Sequence, residues 1–344
     1  MRIYNELQQY FFYNNIHNGV DKFMYTMTDQ KQWKGRIDST TNTSSFRLHQ
    51  QVKRVAINDV SASDKKSAAL VGFICDEGVR RNQGRVGAAN GPNALREGLA
   101  SLPWTFEDDQ QIIDVGNIVC LNHALEEAQR ELGEVVATVL QKNLSCVVLG
   151  GGHETLYGHY LGVRSALPKE AKIGIINIDA HFDLRPYDEQ PSSGTMFRQI
   201  LEQDPHADYF VVGIQRYGNT RELFEKADEL NVKYVYEDQM TVAYQQQLTD
   251  ALQHFMDKHD YILLTLCMDV LNAAFAPGVS APSPFGLDPS TVRSILQQVT
   301  SHPHTHSFDI CEVNPLLDEN GRTVKLGAYF VYEALNNLLR GQGS

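Results

Sequence analysis

Asp179, His181 and Asp183 occupy alternate positions behind the apolar run Ile175-Ile176-Asn177-Ile178. Side chains two apart on an extended segment point the same way. A strand that keeps its geometry to residue 183 therefore projects two carboxylates and an imidazole to one side, a donor set that suits a divalent cation. Taken alone, the same pattern also fits a strand end whose polar residues face water. The other acidic and histidine residues bear on the choice. His153 follows Gly150-Gly151-Gly152 and precedes Glu154. The triple glycine lacks the Gly-Lys-Ser/Thr of a phosphate loop and does not match G-x-G-x-x-G, which argues against a nucleotide site. It reads as a strand-to-helix turn that leaves His153 free to point above a sheet. A lone histidine there is more often structural, and His153 gains weight from the Asp-x-His-x-Asp on the following strand. Asp269 ends the apolar run that begins at Leu264, with Cys267 two residues earlier and facing the same way. Glu312 closes Phe308-Asp309-Ile310-Cys311 in the same manner.

These residues need elements to position them. Strands are expected at 68–75, 111–115, 144–149, 172–179, 208–214, 232–236, 261–270 and 307–311. Helices are expected from 91, over 123–142, after 155 through about 167, over 221–230, up to 258, and over 289–300 and 325–339. Repeated βα units with long apolar strands indicate a three-layer α/β/α fold with a mostly parallel sheet, covered on both faces. In such sheets sites form at the carboxyl ends of strands, where every candidate above falls. The segment 76–87 reads as a loop rich in glycine and arginine. Glycine lets backbone approach a ligand closely, and Arg81 and Arg85 offer forked donors for carboxylates; a solvated loop is the plainer alternative. Residues 1–67 are polar and read as an irregular N-terminal extension packed on the core, with a short helix around 3–12. Within it Trp33-Lys34-Gly35-Arg36-Ile37-Asp38 reads as a surface loop. No internal repeat or low-complexity linker divides the rest, so residues 68–344 are taken as one catalytic domain.

Composition narrows the partners. With 344 residues, 42% of them hydrophobic and 21% charged, the chain can bury a sizeable core as an ordinary globular protein. A net charge of −12 argues against nucleic acid or an anionic membrane as a general partner. It leaves room for a small anionic substrate, because a metal site is locally positive. Cys75, Cys120, Cys146, Cys267 and Cys311 are scattered without a C-x-x-C pair, as expected of reduced thiols in the cytoplasm. The N-terminus shows no basic segment leading into an apolar run, and no apolar run reaches the ~18 residues of a membrane span.

In order along the chain, Gly-Gly-His-Glu around His153, Asp-Ala-His-x-Asp at 179–183, Asp269 ahead of Ala276-Pro277-Gly278, and Glu-Val-Asn-Pro from Glu312 resemble the motifs of the arginase/agmatinase (ureohydrolase) family. The resemblance covers residues 68–340, and four motifs in order make it specific. It is strongest to the formimidoylglutamase branch, through Cys75-Asp76-Glu77-Gly78-Val79-Arg80-Arg81-Asn82-Gln83-Gly84-Arg85, Ser193-Gly194-Thr195-Met196-Phe197-Arg198, Pro277-Gly278-Val279-Ser280-Ala281-Pro282 and the stretch 33–38. It implies an arginase-like fold and hydrolysis of N-formimidoyl-L-glutamate to L-glutamate and formamide by a metal-bridged hydroxide, in histidine degradation. It also implies two Mn²⁺ per subunit, and an oligomer whose interface the sequence does not specify. On the same resemblance His153 and Asp183 belong to one metal, Asp179 bridges, and His181 and Asp269 belong to the other. Glu312 accepts hydrogen bonds from the amidinium, and Asp183 and Glu312 are the catalytic carboxylates. The chemistry of the residues agrees, since oxygen-rich sites with few imidazoles suit Mn²⁺ and a metal pair acidifies a shared water.

Two departures from arginase stand out. Cys267 replaces the first aspartate of the family's Asp-x-Asp. As a thiolate it would supply a missing negative charge, yet sulfur is a poor partner for Mn²⁺; the alternative is a buried neutral thiol with weakened or redox-sensitive metal binding. Ser193 stands where arginases and agmatinases carry a histidine that can shuttle protons, which argues against arginine or agmatine as substrate. Arg81, Arg85, Arg185 and Arg198 are the candidates to hold the two carboxylates of the substrate, against a surface role for each. Two competing readings remain: another amidinohydrolase acting on a guanidine, and a metal-poor, non-catalytic relative.

Overall fold

Three strands are apolar enough to be buried on both faces, and they form the middle of the sheet. The computed structural model describes residues 24–62, 65–241 and 243–341. Among them ten strands make one sheet: β1 (Tyr25–Thr26), β2 (Lys53–Arg54), β3 (Lys66–Ile74), β4 (Gln110–Val119), β5 (Ser145–Leu149), β6 (Ile173–Ile178), β7 (Ala207–Ile214), β8 (Lys233–Tyr236), β9 (Tyr261–Cys267) and β10 (Thr305–Cys311). Their spatial order is β1-β4-β3-β5-β10-β9-β6-β7-β8, with β2 also on β4. Only β1 runs antiparallel to its neighbour. Every residue of β5, β6 and β9 is buried, as strands covered on both faces require.

The helices are α1 (Leu48–Gln51), α2 (Glu77–Arg81), α3 (Gly91–Ala100), α4 (Leu125–Gln141), α5 (Thr155–Ala166), α6 (Met196–Gln203), α7 (Arg221–Glu229), α8 (Gln245–Met256), α9 (Pro289–Thr300) and α10 (Arg322–Gly341). One core layer joins Leu95, Leu252, Ile295 and Val331, placing α3, α8, α9 and α10 on one face of the sheet. The other joins Leu132, Val163, Phe197 and Leu223, placing α4, α5, α6 and α7 on the opposite face. The fold is therefore α/β/α in three layers. Apolar positions of α4 recur as Leu125, Ala128, Leu132, Val136 and Val139, all buried, the stripe expected of a helix lying on a sheet.

Several elements differ from the sequence reading. β4 continues to Val119 past Gly116, whose φ is +95°; a Cβ there would lie 2.4 Å from the Thr26 carbonyl of the neighbouring, antiparallel β1. Part of the loop 76–87 is the short helix α2, supported by Arg80 and Arg81 reaching back to Glu77. The stretch 33–38 is not wholly a surface loop. Trp33 is buried and donates through Nε1 to Asp114 Oδ2 at 2.6 Å. Thr28 Oγ1 donates to Asp114 Oδ1 at 2.9 Å, and the fully buried Arg96 pairs with the same carboxylate at 2.8 Å. A carboxylate that receives these donors can be buried without leaving a charge unpaired, and here it fastens residues 28–33 to the sheet. The short helix expected around residues 3–12 lies outside the described residues. Among the described residues no helix is long and apolar enough to cross a membrane. All five cysteines are free and buried.

Candidate metal centre and cavity

β5, β10, β9 and β6 are adjacent in the sheet and point the same way. The residues that follow them are His153, Glu312, Asp269 and Asp179, so four neighbouring strand ends deliver four functional groups to one place. The triple glycine permits the first delivery by close approach: a Cβ on Gly151 would lie 1.8 Å from the Cys75 carbonyl oxygen.

The local geometry differs from simple alternation. β6 ends at Ile178, and Asp179 to Asp183 form a turn in which Asp183 has φ +50°. Asn219 ties this turn down, accepting from Phe182 N at 3.0 Å and donating to the Ala180 carbonyl at 2.9 Å. β9 ends at Cys267, and Asp269 lies in a 3₁₀ turn over Met268–Val270. Glu312 has φ +67°. Left-handed backbone in non-glycine residues costs energy and clusters at functional sites.

The side chains nonetheless converge. His153 Nδ1 is 3.0 Å from Asp179 Oδ2 and 2.9 Å from Asp183 Oδ2. His181 Nδ1 is 3.2 Å from Asp269 Oδ2 and 3.6 Å from Asp179 Oδ1. Ligand atoms of His153, Asp179 and Cys267 form one compact group, and those of Asp179, His181 and Asp269 a second. Asp179 is common to both. The Glu312 Oε1 accepts from His153 N at 3.1 Å.

So many acids in a buried space perturb one another. Burial opposes charge on His153, but Asp179 and Asp183 outweigh it and hold the imidazole pKa well above its ordinary value. His181 is likewise raised, with Asp269 and Asp179 overcoming burial. Burial, then the charge of Asp179, raises Asp183. Glu312 is pushed up by burial and by Glu154 and Asp269. The Cys267 thiol is raised far above its usual range by burial and the surrounding carboxylates. Asp269 Oδ1 and Glu312 Oε2 are buried without a hydrogen-bond partner among the described residues. Orphaned buried acceptors are costly, and these two point to ligands with positive charge or donors. The residues present therefore fit a pair of hard divalent cations.

Above them is a cavity of about 290 Å³ lined by the buried His153, Cys267, Asp269 and Glu312 and by the half-buried His181 and Asp183. Arg85 and Arg185, both exposed, line it towards solvent, and Ser193 lines it as well. Arg85 is fixed by neutral acceptors, donating to the carbonyls of Ser280 at 2.8 Å and Val279 at 2.9 Å. The Arg185 head group has no carboxylate partner among the described residues. Arg81 and Arg198 are placed elsewhere. Arg81 is held by Glu77 at 3.0 Å and Glu126 at 2.6 Å, and Arg198 by Glu202 at 2.9 Å; neither lines the cavity. Both are attached to carboxylates of their own, which is why forked-donor chemistry read from sequence misplaced them. Asn82 and Ser280, each inside a stretch that carries the resemblance, also line the cavity, as does Asn219, which nothing in its local sequence marks. Thr265 was not named in the sequence reading, although alternation would have found it: it lies two residues before Cys267 on β9.

The profile of the arginase family matches residues 66–336. The chain belongs to the arginase family. Its relatives are more specific. Formimidoylglutamase of Lysinibacillus sphaericus (strain C3-41) is 87% identical over 321 residues, 93% of this chain and 100% of that protein. The crystal structure of formimidoylglutamase from Bacillus subtilis subsp. subtilis str. 168 superposes with a TM-score of 0.76 at 21% identity, covering 89% of this chain and 96% of that one. A single-residue variant of Trypanosoma cruzi formiminoglutamase, crystallised with Mn²⁺, gives a TM-score of 0.73 at 25% identity, over 87% of this chain and 99% of that one.

Proposed function

We propose that the chain hydrolyses N-formimidoyl-L-glutamate to L-glutamate and formamide, in histidine degradation, with two Mn²⁺ held at the convergent cluster. One observation carries this reading. In an arginase-family chain 87% identical to a formimidoylglutamase, a buried acid cluster with orphaned oxygens opens into a cavity whose mouth carries two guanidiniums without carboxylate partners among the described residues. Such a cavity takes a cationic amidine at its floor and anionic groups at its rim.

His153, Asp179, Asp183 and Cys267 would hold one metal, and Asp179, His181 and Asp269 the other. When bound, the metal pair supplies Lewis acidity and an acidified water near neutral pH. The protein's residues do the rest. Glu312 Oε2, buried and unpartnered, accepts from an amidinium N–H. Arg85 and Arg185 orient the substrate through its carboxylates. Ser193 presents a hydroxyl where a shuttle histidine would favour a guanidine substrate. Asp183, whose carboxyl lines the cavity, is assigned the exchange of protons with the leaving nitrogen. Five buried free thiols accord with a reducing compartment, and the cytoplasm is the proposed location.

The test is an assay of the purified chain on N-formimidoyl-L-glutamate, with and without added Mn²⁺, reading formamide. Metal-dependent formamide release is the expected result. Release of urea from a guanidine instead would move the substrate to the competing amidinohydrolase reading, and metal uptake without turnover of either would end the catalytic one.

A further inference from the structure

Behind the cavity lies a buried carboxyl that the chemistry above does not use. Asp309, in β10, is completely buried. Its Oδ1 accepts from Thr265 Oγ1 at 2.6 Å and from Cys311 Sγ at 3.2 Å. Its Oδ2 is 2.6 Å from Nδ1 of His159, a fully buried histidine of α5. Thr265, in β9, stands 3.1 Å from His153 Nε2. That is the ring nitrogen of His153 opposite the one that faces Asp179 and Asp183. A continuous line of contacts thus runs His153–Thr265–Asp309–His159.

The line has a direction. A carboxylate only accepts, and a threonine hydroxyl has one proton to give. With that proton directed at Asp309, the Thr265 oxygen can only accept from His153 Nε2–H. His153 then keeps its proton on Nε2, so Nδ1, which faces Asp179 and Asp183, is the nitrogen that gives up its proton to a metal. We infer that Asp309 and His159 are positioning residues that fix the tautomer of His153 through Thr265, and so set the affinity of the metal position at His153. The inference rests on the reading that His153 holds a metal. His159 supports the arrangement by donating to the second oxygen of Asp309, which keeps a fully buried carboxylate supplied with donors. His153, Asp309 and Cys311 are close enough to resemble a third metal group. Both Asp309 oxygens already receive donors, however, and the ring edge of His153 in this direction faces Thr265, so the cluster acts as a relay.

The experiment titrates Mn²⁺ into the metal-stripped full chain and counts bound metal, with the melting temperature of each variant reporting its folding. Thr265→Ser keeps the hydroxyl and binds two Mn²⁺ as wild type does. Thr265→Val keeps the shape without the hydroxyl and weakens one of the two by ~10–100-fold, the range for losing an outer partner of a metal ligand. Asp309→Asn, whose amide can donate to Thr265 and reverse the line, weakens the same position by a similar factor. Equal, tight binding of both Mn²⁺ by Thr265→Val and Thr265→Ser overturns the relay, and that comparison stands even where Asp309→Asn fails to fold. Failure of the metal reading looks different: the wild-type chain takes up no Mn²⁺ at all, and the relay falls with it.

Discussion

Replacing Arg185 by glutamine tests the substrate assignment most directly. Arg185 lines the cavity and is exposed, and its head group has no carboxylate partner among the described residues. A substrate carboxylate would be its first. Two unit charges at ~4 Å interact by about 1 kcal/mol in water and about 4 kcal/mol at an effective dielectric of 20. An exposed guanidinium belongs towards the lower figure, although a forked, charge-assisted hydrogen bond adds to it. A loss of about 2 kcal/mol is therefore expected, roughly 30-fold in kcat/KM. The carboxylate is remote from the amidine carbon and is held alike in ground and transition states. The loss should then appear as a rise in KM with kcat preserved. Arg185→Lys, which keeps the charge without the fork, should recover part of it. The assay is formamide release against substrate concentration at low and high salt. Because the pair is exposed, the gap between wild type and variant should narrow near 1 M salt, where the screening length falls to about 3 Å. Arg198→Gln is the control: its guanidinium lies on Glu202 outside the cavity, so KM should stay put. A kcat/KM for Arg185→Gln within twofold of wild type, or a fall confined to kcat, would refute the assignment.

Other outcomes follow from the same structure. Cys267→Asp places an oxygen donor beside His153 and Asp179; it should retain or raise both Mn²⁺ content and activity, whereas a lowered melting temperature with unchanged metal stoichiometry and activity would assign the thiol to packing. Trp33→Phe removes the 2.6 Å bond to the Asp114 carboxylate and should cost about 2 kcal/mol in urea unfolding, with kcat at low temperature unchanged; an unshifted midpoint would mean that this bond adds nothing. Burial opposes ionisation of Glu77, but Arg80, His123 and Arg81 outweigh it and lower its pKa to about 2 from an ordinary 4.5. Its contribution to stability is complete above pH 4.5 and is lost as pH falls towards 2. Glu77→Gln should therefore flatten the melting temperature over that window, and parallel curves for the two proteins would exclude the effect.

Much of this was legible in the sequence because apolar runs and helical spacing report burial directly. The run that becomes β6 and the stripe that becomes α4 are set by local pattern. Trp33 was not legible, because its partner Asp114 is 81 residues away and a polar neighbourhood in sequence says nothing about that. The four arginines divide for the same reason. Arg81 and Arg185 have the same chemistry, and only the chain's folding puts carboxylates beside one and open cavity beside the other.

The cluster around Asp179 shows where local alternation and the folded geometry part. Alternation along a strand was to align Asp179, His181 and Asp183, yet the strand stops at Ile178 and the turn places Asp183 in left-handed backbone. Convergence comes instead from register. Cys311 lies opposite Cys267, and Leu266 opposite Ile178, so β10, β9 and β6 end level and their next residues meet. Asp183 and Glu312 both sit at positive φ, a strain that the surrounding packing must over-determine. Asn219, bonded to both sides of the turn, is part of that packing. The site is thus held by sheet register and by contacts across loops, and a residue such as Asn219 becomes visible only once both are known.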